Sequence, residues 1–172
     1  MNSEDVAGVI NVVNLYAAAL DCQRWELFDR VFTADAEADF GGPASWRDLA
    51  SLKCDFAAIH APFDATQHVT TNHQVVVDGD RANCISYVVG RFIRPVPEGG
   101  NMFESGGWYD DRLVRAGDGW RIKTRTCRMV WWSGNPLVLQ TTPGVPAEQQ
   151  LFSLKTEAAA RQIAWLDAIA VG

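Results

Sequence analysis

Positive charge is in short supply in this chain. Its 172 residues carry 15 Lys and Arg against 21 Asp and Glu, for a formal net charge of -6 and a pI near 5.0. The basic residues are scattered rather than clustered, which argues against a nucleic-acid binder or a protein held to an anionic membrane surface. Long apolar runs are missing too. Hydrophobic residues make up 48% and mean hydropathy is -0.08, yet no run approaches the ~20 residues that span a bilayer. The opening Met1-Asn2-Ser3-Glu4-Asp5 is acidic where a secretion signal would be basic, so a cytoplasmic location is expected. The few cysteines (Cys22, Cys54, Cys84, Cys127) lack the paired spacing of a zinc site or redox motif and are expected to be free thiols. No serine nucleophile elbow or glycine-rich phosphate loop is present: Gly99-Gly100 and Gly106-Gly107 lack the strand-to-helix context, which removes hydrolase and nucleotide readings.

What is present fits one domain, long enough to bury roughly two-thirds of its unfolded surface. Val6, Ile10, Val13, Ala17 and Leu20 recur at helical spacing behind the acidic turn Glu4-Asp5, predicting a first helix that ends near Leu20. Trp25, Phe28, Val31 and Phe32 predict a second, shorter helix, and residues 36–40 a brief strand. The stripe Leu49, Leu52, Phe56 and Ile59 predicts a third helix, opening at Ser45 and ended by Pro62. From Thr66 the period falls to two and β-branched residues accumulate, giving a long strand, a turn at Asp78-Gly79-Asp80 and a return strand over 82–94. A second hairpin covers 103–115 and 120–132, with Gly106-Gly107 as a bulge that bends the sheet. Residues 133–146 read as an extended surface segment and 147–170 as a terminal helix. The predicted fold is α+β, a curved antiparallel sheet packed against N-terminal helices; residues 1–132 form the domain and 133–172 a tail docked on it.

Only three histidines are available for acid–base work: His60, His68 and His73. An imidazole whose second nitrogen is held by a carboxylate is a general base usable near neutral pH. His68, in Thr66-Gln67-His68-Val69, and Asp21, at the end of the first helix, are the pair that would supply one. The same residues would also make a buried histidine satisfied by a structural aspartate. His60, beside Pro62, is expected to bond the carbonyls at its helix's C-terminus. Strand alternation puts His68, Thr70 and Asn72 on one face and His73 on the other, toward solvent or a partner subunit. No second histidine accompanies His68 at metal-ligand spacing, so metal-free chemistry is expected. The reaction is then proton abstraction by His68, with Asp21 fixing the tautomer and Tyr109, Asn72 or Arg91 holding an oxyanion or assisting a departing group. Arg91 has a structural reading as well, pairing with Glu104. Tyr16 is a weaker substrate contact, placed by helical spacing on a different face from Asp21. If tryptophans such as Trp108 line the pocket, the ligand should be apolar and ring-shaped.

These pieces occur in a definite order: Leu15-Tyr16 then Leu20-Asp21 and Trp25; Phe32-Thr33-Ala34-Asp35-Ala36; Thr66-Gln67-His68 with Asn72; Val77-Asp78-Gly79-Asp80-Arg81-Ala82; Gly106-Gly107-Trp108-Tyr109; Asp118-Gly119-Trp120-Arg121-Ile122. From about residue 5 to 132 the chain resembles the SnoaL-like branch of the NTF2-like superfamily. The resemblance implies a cone formed by a curved sheet closed by helices. Within the superfamily the chain is similar to scytalone dehydratase, hexachlorocyclohexane dehydrochlorinase and the bile-acid dehydratases, whose aspartate and histidine fall on Asp21 and His68. It implies a cofactor-independent lyase eliminating water or halide from a hydrophobic cyclic small molecule, and a homodimer or homotrimer formed through the sheet's outer face. Leu20 and Phe40 stand where scytalone dehydratase has tyrosines, so scytalone itself is not the expected substrate. Ketosteroid isomerases share the fold, which keeps an isomerase or polyketide cyclase as an alternative and a non-catalytic binding module as a second.

Overall fold

In the computed structural model, which describes residues 3–141 and 149–170, the first helical period folds as α1 (Ser3–Asp21), with Val9, Val13, Tyr16 and Leu20 buried. Its end is sharply defined. Gln23 adopts φ 51, the Arg24 N–H donates to Ala19 O at 2.8 Å and the Gln23 N–H to Leu20 O at 3.0 Å. This pair of backward bonds satisfies the last carbonyls and stops the helix at Asp21. The second helix is a 3-10 helix, Trp25–Arg30. There follow β1 (Phe32–Asp39), β2 (Ser45–Trp46) and α2 (Leu49–His60). Helix α2 starts later than expected because Ser45 and Trp46 pair with β1, and Asp48 supplies the cap by accepting from the Ser51 N–H at 2.8 Å.

The two hairpins are β3 (Ala65–Asp78) with β4 (Arg81–Ile93), and β5 (Met102–Ala116) with β6 (Gly119–Gly134). Among the described residues the sheet is six-stranded, ordered β2-β1-β6-β5-β4-β3. It is not wholly antiparallel: β1 runs parallel to β6, with Ala38 beside Arg125. A parallel pair needs a long crossover, and everything from α2 to β5 supplies it. The sheet bends where its register shifts between Gly106 and Gly107. A Cβ on Gly107 would lie 1.8 Å from the Arg128 carbonyl oxygen, so only glycine fits there.

A second bulge overturns the assignment of His73. The β3–β4 register shifts between Thr71 and Gln74, and Asn72 takes φ 54. One extra residue reverses the alternation for all that follows. Val75 and Val77 pack on the core, and His73, in phase with them, turns inward, its Nε2 buried without a hydrogen-bond partner among the described residues. Burial lowers its pKa.

Helices α1 and α2 fill the concave face, where Val13, Tyr16, Phe28, Leu52 and Phe56 meet Val88, Tyr109 and Ile122. The convex face is covered by the tail: Ile85 and Trp108 are buried beneath Ile163, with Trp165 and Leu166 packed against them. The expected terminal helix is two short ones, α3 (Leu154–Ala159) and α4 (Ala164–Ile169). Arg161, at φ 57, breaks the spiral between them. Asp110 of β5 then starts α4 by accepting from the N–H groups of Ala164 (2.6 Å) and Trp165 (3.2 Å). Within the segment expected to be extended, 133–134 continue β6 and Pro136–Val138 forms a 3-10 turn. Its remainder at 142–146, like the expected start of the terminal helix at 147–148, lies outside the described residues.

Candidate active site

Asp21 ends α1 and His68 lies near the start of β3, and the packing of that helix end on the strand brings their side chains into contact. Asp21 Oδ1 stands 2.7 Å from His68 Nδ1, and its Oδ2 accepts the His68 backbone N–H, also at 2.7 Å. The Thr66 hydroxyl donates to Oδ1 at 2.9 Å. A carboxylate at a helix C-terminus is unfavourably placed in the helix dipole. Burial also works to raise the Asp21 pKa, but the bonds from the His68 ring and backbone and from Thr66 outweigh it and hold the pKa below the usual value. An ionised carboxylate only accepts, so in the neutral imidazole Nδ1 carries the proton and Nε2 is the acceptor. The ring lies edge-on to Phe92, 5.4 Å between centroids at 87°. Across the ladder stands Gly90, where a Cβ would come within 3.1 Å of Nε2.

His68 forms part of the wall of a cavity of about 550 Å³ between the helices and the sheet. Much of the remaining wall is apolar, including Leu20, Phe40, Phe56, Phe63, Val88 and Phe92. Tyr16 and Tyr109 both reach it, their rings edge to face at 5.7 Å. Burial raises the pKa of each, so their hydroxyls stay protonated and serve as donors. Behind them Arg125 and Asp111, both fully buried, form a two-point ion pair at 2.8 and 2.7 Å. The guanidinium lies 4.1 Å from the Tyr16 ring centroid and 4.0 Å from that of Tyr109, which fixes the two rings.

Three expected substrate contacts lie elsewhere. Trp108 is on the convex face, because neighbours on a strand point to opposite sides and Tyr109 points in. Arg91 pairs with Glu104 at 2.5 Å and donates to Gln67 at 3.1 Å, outside the cavity lining. Asn72 is exposed at its bulge. Conversely, His60, Ser105 and Arg128 line the cavity without having been singled out as contacts. His60 had a readable signal, one turn beyond Phe56 on the apolar stripe of α2, and its Nδ1 does meet the Phe56 carbonyl, at 2.8 Å. The Arg125–Asp111 pair carried no such signal: the plain register of the second hairpin would set Asp111 beside Thr124, and a shift between Arg112 and Leu113 brings Arg125 opposite it instead. Among the described residues no group of three or more His, Cys, Asp or Glu side chains is arranged to hold a metal ion.

A curved sheet closed by helices around an apolar hollow is the NTF2-like architecture, and the comparisons agree. Residues 1–126 match the SnoaL-like domain family, and the chain belongs to it. It is 36% identical over 115 residues to an uncharacterized Mycobacterium tuberculosis protein, Rv2910c, an alignment covering 64% of this chain and 75% of that one. The crystal structure of Kfla4162 from Kribbella flavida superposes with a TM-score of 0.75 at 27% identity, covering 80% of this chain and 97% of the other. A candidate scytalone dehydratase from Novosphingobium aromaticivorans gives 0.68 at 21% identity, covering 76% and 87%. That last likeness is one of fold.

Proposed function

We propose that this protein is a cofactor-independent lyase of the dehydratase type, acting on a hydrophobic cyclic small molecule. The carrying observation is the 2.7 Å contact between Asp21 and His68 Nδ1 in the wall of a largely apolar cavity. In the proposed step, His68 Nε2 takes a proton from a ring carbon. The C–H electron pair becomes the new double bond, and the leaving group departs with its own bonding pair. Asp21 stabilises the imidazolium that forms. The Tyr109 hydroxyl, with Tyr16 beside it, donates a hydrogen bond to the departing oxygen or to an oxyanion. The wall composition supports a ring-shaped apolar substrate, and the fold shared with a candidate scytalone dehydratase supports elimination. The same dyad would serve an isomerase or cyclase that moves a proton without releasing a group. Incubating candidate cyclic alcohols in labelled water separates the readings: loss of water marks the lyase, exchange without loss the isomerase. Tight binding with neither would leave a binding module and sink both.

We further propose a homodimer or homotrimer built on the convex face, where Val69, Tyr87 and Trp131 are exposed beside the tail. Sedimentation equilibrium showing only monomer would dismiss it. A cytoplasmic location is proposed as well, supported by four cysteines that are all free thiols.

A further inference from the structure

The cavity wall contains a second imidazole that the proposed chemistry does not use. His60, the last residue of α2, is 6% exposed and reaches the cavity beside Phe63 and Phe92. Its Nδ1 lies 2.8 Å from the Phe56 carbonyl oxygen, which can only accept. Nδ1 therefore carries the proton. Burial lowers the ring's pKa to about 4, so it is neutral near pH 7. Trp25, Phe56, Phe63 and Phe92 pack around it at centroid distances of 5.6, 5.4, 5.7 and 6.4 Å, and the nearby Gln23 amide donates to the His60 backbone carbonyl at 3.1 Å. The remaining nitrogen, Nε2, is thus a fixed acceptor, and none of the described hydrogen bonds engages it.

We propose that His60 is a specificity-determining residue whose Nε2 accepts a hydrogen bond from a hydroxyl on the bound ring, so that the site selects hydroxylated hydrophobic rings over ethers, halides or bare hydrocarbons of the same shape. This rests on the reading of the cavity as the substrate site, but not on the dyad's turnover. A ring without a donor buries Nε2 unpaired, and the penalty for a buried unsatisfied acceptor corresponds to roughly tenfold or more in affinity.

The test uses 2-naphthol and 2-methoxynaphthalene as probes, with dissociation constants read by calorimetry on the full chain. Wild type should bind the naphthol roughly tenfold more tightly. His60→Phe should bring the two probes close to parity while keeping the affinity for the ether. His68→Ala should keep the preference even where turnover is lost, so a failure of the dyad reading and a failure of this one give different patterns. A preference intact in His60→Phe, or erased in His68→Ala, overturns the proposal. Should His60→Phe not fold, the ¹⁵N signal of His60 Nε2 in wild type decides: it should shift with the naphthol and stay in place with the ether. A signal unmoved by bound naphthol overturns the assignment.

Discussion

Four consecutive residues of β5 show how differently the two faces of one sheet are built. Tyr109 and Asp111 point into the cone, Trp108 and Asp110 toward the tail, and all four are buried. On the concave side Asp111 meets a guanidinium at two points. On the convex side Asp110 meets two backbone N–H groups at the start of a short helix. Burial pushes the Asp110 pKa up to about 6, with the two N–H bonds only partly opposing it. The proposed site and the docked tail thus share a strand while using different residues, so each face should be open to perturbation without touching the other.

The largest separation should come from His68→Ala, which removes the base from the concave face. Turnover should fall by ~10²- to 10⁴-fold while the thermal midpoint changes little. Full turnover in a folded variant would end the dyad mechanism. Next, Arg125→Ala leaves the Asp111 carboxylate buried and uncompensated, a loss of about 3–5 kcal/mol. Trp108→Ala opens a cavity under α4 at a similar cost of about 3–5 kcal/mol. The two should differ in kinetics. Turnover per folded molecule should drop only for Arg125→Ala, whose guanidinium fixes Tyr16 and Tyr109; equal activity in both would erase the distinction between the faces.

The third effect depends on pH. Asp110 binds its proton more tightly folded than unfolded, so the stability it contributes is fully present below its ordinary value of 3.8 and is lost as pH rises through about 6. The span amounts to roughly 3 kcal/mol. Denaturant titrations should show the wild type losing stability relative to Asp110→Asn between pH 4 and 6; parallel profiles would contradict the raised pKa. Smallest of all, Gly90→Ala sets a methyl 3.1 Å from His68 Nε2. Because Gly90 needs no unusual backbone conformation, the variant should fold, with kcat reduced on the order of tenfold through a displaced ring. An unchanged kcat would mean that the imidazole yields freely.

Periodicity revealed the long hairpins, the end of α1 and the α+β layering because each leaves a local mark: a turn such as Asp78-Gly79-Asp80, or a change of period at Thr66. Asp21 and His68 were legible as a pair because chemistry restricts which side chains can do such work. Asn72 was not, since nothing in Thr71-Asn72-His73 announces an inserted residue, and that one residue sends His73 to the opposite face. Arg161 likewise interrupts the terminal helix without a glycine or proline to mark the break. Asp111 and Arg125 looked like ordinary charges on a strand, because whether a charged residue is buried depends on what packs over it, not on its neighbours in the chain.

Asp21 holds more than the imidazole. By gripping the Thr66 hydroxyl and the His68 main chain as well as the His68 ring, it also fixes the position at which the first helix seats on the sheet. A descendant that gave up the acid would therefore lose a mechanical joint as well as the imidazole's partner. Faster amide exchange at the base of β3 would record that loss whether or not the proposed turnover had gone with it.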